Sequence, residues 1–498
     1  MLFPTVEYAL FFIVVLWFSW GCIEHPRLHK ALLLVSSYVF YGVWDWHFLP
    51  LLFGLSTYAW LAARVIALGN AGNTAAGSAG VPPASRGRGH LGRTKGTLAL
   101  PTLLLGIAGC LATLIYYKYL LFLGLALSNL SAWAGLSFTP ELPTEFLPLG
   151  ISFMVFHAIS LLMDVYRGKL NQPGPLVDTL LYVAFFPQLI AGPILRASRF
   201  LPQLRHPPDP ARIPVSRGFL WILVGLFKKV VIANALATGL VDEVFAAPAL
   251  FSSLQALCAV YAYAVQIYCD FSGYTDIAIG CALLLGYRFP ANFANPYTAT
   301  SPQDFWHRWH ISLSTWLRDY LYIPLGGSRG GPWRTRLNLL VAMLLGGLWH
   351  GAAWTFVAWG GWHGLLLVLH RIWSELAPVR DAVWRRSRCW RWISRLLCFH
   401  AICLGWILFR ATDFGNAAAM VQRIAAGDGV LTGLNQPWLP ALLVGFGLQF
   451  VPLRALARME LGLVRLPPLL RGCAIGVMLL LIEILGPVGV APFIYFQF

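Results

Sequence analysis

Charged side chains are scarce in this sequence. Asp, Glu, Lys and Arg make up only 11% of its 498 residues, and 58% of the residues are hydrophobic. A soluble globular protein has roughly 25% charged residues, so the composition excludes a soluble fold and predicts an integral membrane protein. A cleavable leader is also lacking. The apolar segment 3–20 has no basic region before it and no small-residue cleavage site, so we interpret it as a retained span.

Several catalytic motifs are missing. The sequence contains no P-loop, no H-E-x-x-H and no G-x-G-x-x-G after a predicted strand. It matches G-x-S-x-G once, at Gly326-Gly327-Ser328-Arg329-Gly330. No strand is predicted before that match, so a serine acyl-enzyme of the hydrolase type is disfavoured. The nine cysteines include no C-x-x-C pair, and we expect membrane-packed thiols without a disulfide framework. No internal repeat is evident, which argues against a transporter built from inverted repeats.

The formal charge of +16 is distributed in a pattern that does not suggest a nucleic-acid partner. Lys and Arg occur in separate clusters between apolar segments, as they do in cytoplasmic loops. The Gly/Ala/Ser-rich basic segment 69–97 predicts a mobile cytoplasmic loop. The segments 131–145 and 241–248 carry acids but no Lys or Arg. We therefore place the loop 131–145 in the periplasm.

The apolar segments predict a single all-α, polytopic membrane domain over residues 1–498. A helical span needs about 20 apolar residues. Candidate spans are about 3–20, 31–49, 51–67, 98–128, 147–166, 218–238, 252–286, 336–353, 354–371, 393–411, 437–453 and 472–492. The basic clusters all fall on one side of the membrane if segments 180–194 and 301–323 do not cross it, but re-enter or lie along the interface.

His350 is the most informative single residue, because it lies inside the long apolar stretch 339–369. Ionisable groups are costly in a bilayer and usually mark function. A neutral imidazole can accept a proton from a hydroxyl group. Gly347 and Gly351 form a G-x-x-x-G face that allows a helix or a thin substrate to approach closely. The alternative for His350 is a structural histidine bonded to a carbonyl, and for His363 both interpretations stay open.

A second polar cluster, Trp306-His307-Arg308-Trp309-His310, precedes His350 by 40 positions. Ser301-Pro302-Gln303-Asp304 is a good helix start. Along that helix Trp306, His310, Leu313 and Leu317 share one face, which predicts that His310 points into protein, and Asp304 can pair with Arg308. The alternative is an interfacial helix anchored by tryptophans.

Two aspartates, Asp270 and Asp276, lie in an otherwise apolar span. They must pair or face water. Either they orient His310 or His350, or they pair with Arg308 or Arg318 and hold the helix bundle together, and we favour the structural role. Asn292 and Asn295 fall in a turn that is suited to placing the helix that follows.

Several motifs in order resemble the membrane-bound O-acyltransferase (MBOAT) family, and specifically its bacterial alginate O-acetyltransferase branch. The resemblance covers nearly the whole chain. Its motifs are Pro148-Leu149-Gly150-Ile151-Ser152-Phe153, Phe186-Pro187-Gln188-Leu189-Ile190-Ala191-Gly192-Pro193, Asp270-Phe271-Ser272-Gly273-Tyr274-Thr275-Asp276, Phe305-Trp306-His307-Arg308-Trp309-His310, Leu348-Trp349-His350-Gly351 and Phe493-Ile494-Tyr495-Phe496.

The resemblance implies a ring of about 11–12 transmembrane helices, with re-entrant or interfacial helices, around a central tunnel. The family's catalytic histidine falls on His350 and its second motif histidine on His310. Candidate residues of the substrate and donor tunnel are Trp306, Arg308, Trp309, Asp270, Asn295, Trp354 and His363. The family resemblance also implies a cytoplasmic acetyl donor, acetyl-CoA, and a separate periplasmic acetyltransferase as partner.

These expectations combine into one hypothesis. The protein is a multi-pass enzyme of a bacterial inner membrane that moves acetyl groups from acetyl-CoA across the lipid bilayer to an exopolysaccharide such as alginate. His350 is the general base, and His310 positions donor or acceptor, although the two can exchange roles and an acyl-histidine stays open. Arg308 and Arg318 are candidates for attracting the phosphates of coenzyme A. No bound cofactor or metal is required.

Three alternatives stay open. One is a different acceptor: cellulose, peptidoglycan, or teichoic acid that receives D-alanine. Another is a b-type haem redox protein, because His350 and His363 are 13 positions apart, a spacing that resembles bis-histidine haem helices. That site needs histidines on a facing helix, and only His157 is a candidate. The third is a transporter with a polar pathway.

Overall fold

The structure is a computed structural model. It describes residues 3–76 (side chains to residue 71), 98–136, 147–190, 192–376, 384, 387–429, 436, 438–452, 454–487 and 493–494. The predicted basic loop 69–97 lies outside the described residues after residue 76, as does the loop 131–145 after residue 136. Tyr495 and Phe496 of the terminal motif also lie outside them.

In the described part of the chain the regular elements are helices, and no strand occurs there. The all-α prediction is therefore confirmed. The main helices are α1 (Val6–Gly21), α2 (Pro26–Asp45), α3 (Leu49–Ala76), α4 (Ala99–Trp133), α5 (Ile151–Tyr166), α6 (Leu176–Ala184), α7 (Ala197–Leu204), α8 (Val215–Ala246), α9 (Ser253–Leu284), α10 (Pro302–Arg308), α11 (Ile311–Leu317), α12 (Gly331–His350), α13 (Trp354–Glu375), α14 (Arg388–Arg410), α15 (Phe414–Ala425), α16 (Trp438–Leu448), α17 (Arg454–Arg465) and α18 (Pro468–Leu485).

Many of these helices suit a bilayer. Among the described residues, five helical stretches are long and apolar enough to cross one, and they are Pro26–Ala71, Ala99–Trp133, Val215–Ala246, Arg388–Arg410 and Pro468–Leu485. The protein is thus a multi-pass membrane protein. The remaining helices are shorter or more polar, so the number of 11–12 spans and the central tunnel stay predictions.

Facing glycines hold α8 against α9. A Cβ atom on Gly225 would lie 2.6 Å from the carbonyl oxygen of Gly273, and one on Gly280 would lie 2.6 Å from that of Gly218. Both contacts are with backbone, so no larger residue fits without separating the helices. Small residues at such positions let membrane helices approach until their backbones touch.

The hairpin of α12 and α13 is packed by the same means. A Cβ atom on Gly347 would meet the carbonyl oxygen of Phe356 at 2.3 Å, and one on Gly351 would meet the Phe356 ring at 2.2 Å. The close approach that the G-x-x-x-G pattern predicts is therefore confirmed as helix packing. The hairpin places His350 at the end of α12, beside the turn into α13.

Two segments contain only short helices. The helix α6 has nine residues, and α10 and α11 have seven each. At 1.5 Å per residue none of them spans the roughly 30 Å of hydrocarbon. These lengths agree with the charge pattern, which predicts that segments 180–194 and 301–323 do not cross.

Candidate active site

The chain breaks at His310, between α10 and α11. Ser301 Oγ accepts a hydrogen bond from the Asp304 N–H, and Arg308 Nε donates to Asp304 Oδ1 at 2.7 Å. Both features of the predicted helix are confirmed. Its continuity is not: His310 has φ 42° and ψ 55°, in the left-handed region. The prediction of one helical face through Trp306, His310 and Leu317 was therefore wrong.

Asn292 stabilises this break. Its carbonyl oxygen accepts from the Ile311 N–H at 2.9 Å, and its side-chain oxygen accepts from the Ser312 N–H at 3.0 Å. These bonds satisfy the first donors of α11, as a capping residue does. We expected the Asn292 turn to place the helix that begins at Ser301, but the Asn292 bonds go instead to the start of the later helix α11. Positive φ is uncommon for residues other than glycine and concentrates at functional sites.

The break aims the His310 ring into the protein, where it is fully buried. Its Nδ1 lies 3.3 Å from Asn292 Oδ1, and its ring meets Phe271 edge-on at 4.6 Å between centroids. Within the described residues, Nε2 has no hydrogen-bond partner. One nitrogen of His310 is therefore oriented by Asn292, and the other is available.

His350 lies close by, at the end of α12. Its side chain is buried among aromatic rings, with the centroid of Trp359 at 4.9 Å and that of Phe409 at 5.3 Å. The ring of Trp349 lies 5.0 Å from that of His350 and 6.2 Å from that of His310. The structure thus brings the two predicted histidines together around one tryptophan.

His350 opens onto a cavity of about 540 Å³, here called the His350 cavity. One wall is the face of α12 that carries Ala342 and Gly346, and the other walls are formed by α10, α11, α13 and the segment after α11. Its lining residues are Gln303, Trp306, His307, Ile311, Leu313, Ser314, Thr315, Leu317, Arg318, Tyr322, Ser328, Leu339, Ala342, Met343, Gly346, His350, Trp359, Leu367, His370, Arg371, Ser374 and Glu375. His350 is therefore a buried residue that forms part of the wall of a cavity.

Charged residues collect at the end of the cavity away from His350. Glu375 accepts hydrogen bonds from Arg336 and Arg371, both at 2.9 Å. Arg318 pairs with Asp319 at 2.7 Å. Burial by itself would raise the pKa of the Asp319 carboxyl, but the Arg318 hydrogen bond and nearby arginine charges hold that pKa below its ordinary value. The cavity therefore runs from a basic mouth to an apolar inner end.

The predicted tunnel residues divide into two groups. Trp306 lines the His350 cavity together with His350. The other candidates do not line it in the described structure, and they are Arg308, Trp309, Asp270, Asn295, Trp354 and His363. Arg308 is held by Asp304, and Trp309 packs against Trp406 with 5.0 Å between centroids.

Of these residues, His363 contacts two tryptophans of the cavity lining, whereas Trp354 and Asn295 have contacts elsewhere. The His363 ring lies among tryptophans, with Trp359 at 4.7 Å and Trp306 at 5.1 Å between centroids. Trp354 is 56% exposed and meets Phe122. Asn295 has φ 51° and donates to the Val451 carbonyl. Its place in a turn is confirmed, but it faces away from the cavity.

The aspartates of α9 pair with lysines. Lys229 Nζ lies 2.5 Å from Asp270 Oδ1, and Lys228 Nζ lies 2.7 Å from Asp276 Oδ2. Asp270 Oδ2 also accepts from the Ile494 N–H at 2.8 Å. The structural role that we favoured is therefore supported, but the proposed partners Arg308 and Arg318 were wrong. Arg308 lies on α10 and Arg318 lies just after α11. The helix that packs against the aspartates of α9, through facing glycines, is α8, and α8 carries the two lysines.

One polar residue beside the histidines was missed. Lys118 Nζ donates to the carbonyl oxygens of Trp349 at 2.6 Å and of His350 at 3.2 Å. Lys118 is the sole charged residue in the 35-residue stretch Ala99–Trp133. The rule that led to His350, an isolated ionisable group in an apolar segment, would have identified it as well.

His157, the histidine that a haem site would need, is engaged elsewhere. Its Nε2 accepts from the Leu195 N–H at 3.2 Å, and its ring meets Tyr182 edge-on. In the described structure it therefore supports the segment after α6 and does not face His350 and His363 as an axial ligand would.

Comparisons with known proteins show which proteins this chain is similar to. The sequence profile of the MBOAT, membrane-bound O-acyltransferase family matches residues 137–409. A protein of Azotobacter vinelandii described as a probable alginate O-acetylase is 39% identical over 87% of this chain and 80% of its own length. A peptidoglycan O-acetyltransferase of Helicobacter pylori is 33% identical over 82% of the chain and 76% of its own. A teichoic acid D-alanyltransferase of Bacillus subtilis is 29% identical over 53% of the chain and 69% of its own.

A multi-pass helical protein with a histidine at the inner end of a cavity, and with relatives that transfer acyl groups, is a membrane-embedded acyltransferase. The chain belongs to the membrane-bound O-acyltransferase family. It is therefore an O-acyltransferase.

Proposed function

We propose that this protein takes an acetyl group from acetyl-CoA on the cytoplasmic side of a bacterial inner membrane and delivers it for O-acetylation of an exopolysaccharide such as alginate. The observation that supports the proposal most is the His350 cavity, which connects a basic mouth to a buried imidazole. The relatives described as alginate O-acetylases support the acyl group and the acceptor.

His350 acts as the general base in this proposal. Its neutral imidazole takes the proton of an acceptor hydroxyl as the oxygen forms a bond to the thioester carbonyl carbon. When the carbon–sulfur bond breaks, the imidazolium returns the proton to the leaving thiolate, so the ring ends as it began. The aromatic rings around His350 exclude water, which limits hydrolysis of the thioester.

His310 positions the acceptor. Its ring lies near Trp349, as does that of His350, but His310 is not among the lining residues of the cavity. A hydrogen bond between His310 Nδ1 and Asn292 Oδ1 fixes the orientation of the His310 ring. A hydroxyl that reaches His350 from the side of His310 would meet a donor thioester that enters through the cavity.

Arg318 and Arg371 attract the phosphates of coenzyme A at the mouth. Both line the His350 cavity, and guanidinium groups suit phosphate oxygens because they donate two hydrogen bonds at once. Arg308, our other candidate for this role, pairs with Asp304 away from the lining, so we do not assign it to the donor. The hydroxyl that reacts at His350 belongs either to the polymer or to a periplasmic acetyltransferase that then completes transfer to the polymer.

The test is acetyl transfer by the purified protein in proteoliposomes. Radiolabelled acetyl-CoA is supplied on one side, and alginate oligosaccharides, with or without a periplasmic partner protein, on the other. His350→Ala should lose transfer by about 100-fold or more. His400→Ala is the matched control, since His400 is an exposed histidine of α14 bonded to Tyr261. Full activity of His350→Ala would remove the proposal.

A second acceptor class is favoured by a specific observation. The Helicobacter pylori relative is a peptidoglycan O-acetyltransferase, and the Bacillus subtilis relative is described as acting on teichoic acid with D-alanine. The same assay distinguishes these acceptors when alginate oligosaccharides are replaced by peptidoglycan fragments, or acetyl-CoA by a D-alanyl thioester. Their lower identity to this chain makes alginate-like polymers the preferred acceptor.

A further inference from the structure

Lys118 places an amine at membrane depth, and the described part of the chain brings no carboxylate next to it. It is the sole charge in α4, the described residues offer no carboxylate within ion-pair distance, and its hydrogen bonds go to the backbone of another helix. An ionisable residue in an apolar span is costly unless it has a use. The bonds to Trp349 and His350 indicate that this use concerns the end of α12.

The end of α12 needs hydrogen-bond donors. The last four carbonyls of any helix have no partner within it. Many helices satisfy them with a left-handed glycine that folds the chain back, but Gly351 is extended, with φ −158° and ψ 151°. Lys118 donates to the Trp349 and His350 carbonyls instead, and Tyr119 Oη donates to the Leu348 carbonyl at 2.8 Å.

A widened turn in α4 makes this cap possible. Residues Ile115–Tyr119 form a single π-type turn. Neighbouring side chains on a regular α-helix diverge by about 100°, yet Lys118 and Tyr119 reach consecutive carbonyls of the same helix end. Turns of this kind are frequent at functional sites.

The cap also has the favourable charge. The carbonyl end of a helix carries about half a negative charge, which a cation stabilises. Tyr119 donates one neutral hydrogen bond to this end, whereas Lys118 donates two and, in its ammonium form, adds a positive charge. The Lys118 bonds fall on the peptide groups that carry the Trp349 and His350 side chains, so the lysine restrains the backbone next to the imidazole.

We propose that Lys118 is a positioning residue for acyl transfer: by capping the Trp349 and His350 carbonyls, it fixes the backbone from which the His350 imidazole reaches the inner end of the cavity. This inference rests on the proposed function of His350. Lys118 does not contact the substrate in it and acts through the placement of the base. A displacement of about 1 Å in a reacting group can reduce a rate by 100-fold.

The test compares Lys118→Met, Lys118→Arg and Tyr119→Phe in the proteoliposome assay, at saturating acceptor. Lys118→Met should lower kcat by about 10-fold to 100-fold with little change in KM for acetyl-CoA. Lys118→Arg keeps the cation and the donors and should recover most of kcat. Tyr119→Phe removes a neutral cap bond from the same helix end and should lower kcat by only about twofold.

Thermal unfolding in detergent separates positioning from folding. A loss of kcat in Lys118→Met at an unaltered unfolding temperature, with recovery in Lys118→Arg, supports the proposal. It is overturned if Lys118→Met keeps full kcat, or if both lysine variants lose activity only in proportion to lost stability. Failure of the proposed function would look different, since the unaltered protein and His350→Ala would then transfer acetyl equally poorly.

Discussion

Two helix pairs in this protein are packed on facing glycines, and they differ in what they do with buried polar groups. Between α8 and α9, lysines and aspartates neutralise one another in closed ion pairs. The α12–α13 hairpin carries His350 at one end and opens on a cavity. The same packing device therefore supports both a sealed interface and a reactive one. The difference lies in whether the buried polar group adjoins a cavity.

This difference refines a general rule. An ionisable residue in a membrane segment is a candidate for function, and by that rule Asp270 and His350 are equivalent in the sequence. Asp270 receives a lysine and a backbone N–H, which together satisfy a carboxylate. His350 lines a space large enough for part of a substrate. Asp270 is thus held by an ion pair within the helix bundle, whereas His350 adjoins a cavity.

The largest expected effect is on catalysis, at the open pair. His350→Gln should lower acetyl transfer by about 100-fold to 10,000-fold, because amide nitrogen and oxygen cannot act as a general base. The unfolding temperature in detergent should stay that of the unaltered protein, since the glutamine fits the same space. A lower unfolding temperature for His350→Gln would show that His350 is a structural residue like Asp270, and would contradict the distinction between the two helix pairs.

The next effect is on stability, at the sealed pair. Lys228→Met leaves Asp276 buried without its partner and should lower the free energy of unfolding by about 3–5 kcal/mol. The double variant Lys228→Met/Asp276→Leu should recover most of this loss, because an apolar pair of similar volume replaces both charges. Denaturation in detergent measures both. Transfer activity per folded molecule should be unaltered, and a specific loss of activity would contradict the structural role.

Matched glycine substitutions sharpen the comparison further. A Cβ atom on Gly225 meets backbone of α9, so Gly225→Ala should lower the free energy of unfolding by about 1–3 kcal/mol. A Cβ atom on Gly346 meets only the end of the Leu317 side chain, at 3.1 Å. Gly346→Ala should therefore fold normally but narrow the His350 cavity and lower kcat/KM by about tenfold. Equal unfolding temperatures for the two variants would show that the cavity face of α12 tolerates a methyl group no better than the α8–α9 interface does.

The smallest effect concerns the mouth of the cavity. Glu375 occupies Arg336 and Arg371, and Glu375→Gln should free them for an anionic donor. Because exposed ion pairs contribute about 0–1 kcal/mol, KM for acetyl-CoA should fall by no more than about fivefold. Glu460→Gln, which frees Arg217 in another part of the protein, is the control. A KM that rises in Glu375→Gln would argue against anion binding at this mouth.

The sequence predicted that the protein lies in a membrane, and it predicted most of the helices. Both predictions were possible because the composition and the length of the apolar segments reflect the bilayer directly. It also identified His350 and His310, whose positions in apolar or aromatic segments are unusual. It failed at His310, where a helical pattern continues through residues 306–317 but the backbone turns left-handed. The cause is Asn292, which lies 20 positions before the Ser312 N–H that it binds, and local periodicity carries no information about such a partner.

What the sequence alone determined is that this chain folds in lipid and carries histidines at a cost that only function or pairing can offset. Which of the buried polar groups is satisfied was decided by tertiary structure. Asp276 and Lys228 are 48 positions apart, and Lys118 and the His350 carbonyl are 232 apart. Such bonds depend on how closely whole helices approach one another. Facing glycines and one widened turn control this approach. The sequence contains those residues, but the helix surfaces that they bring into contact cannot be predicted from it.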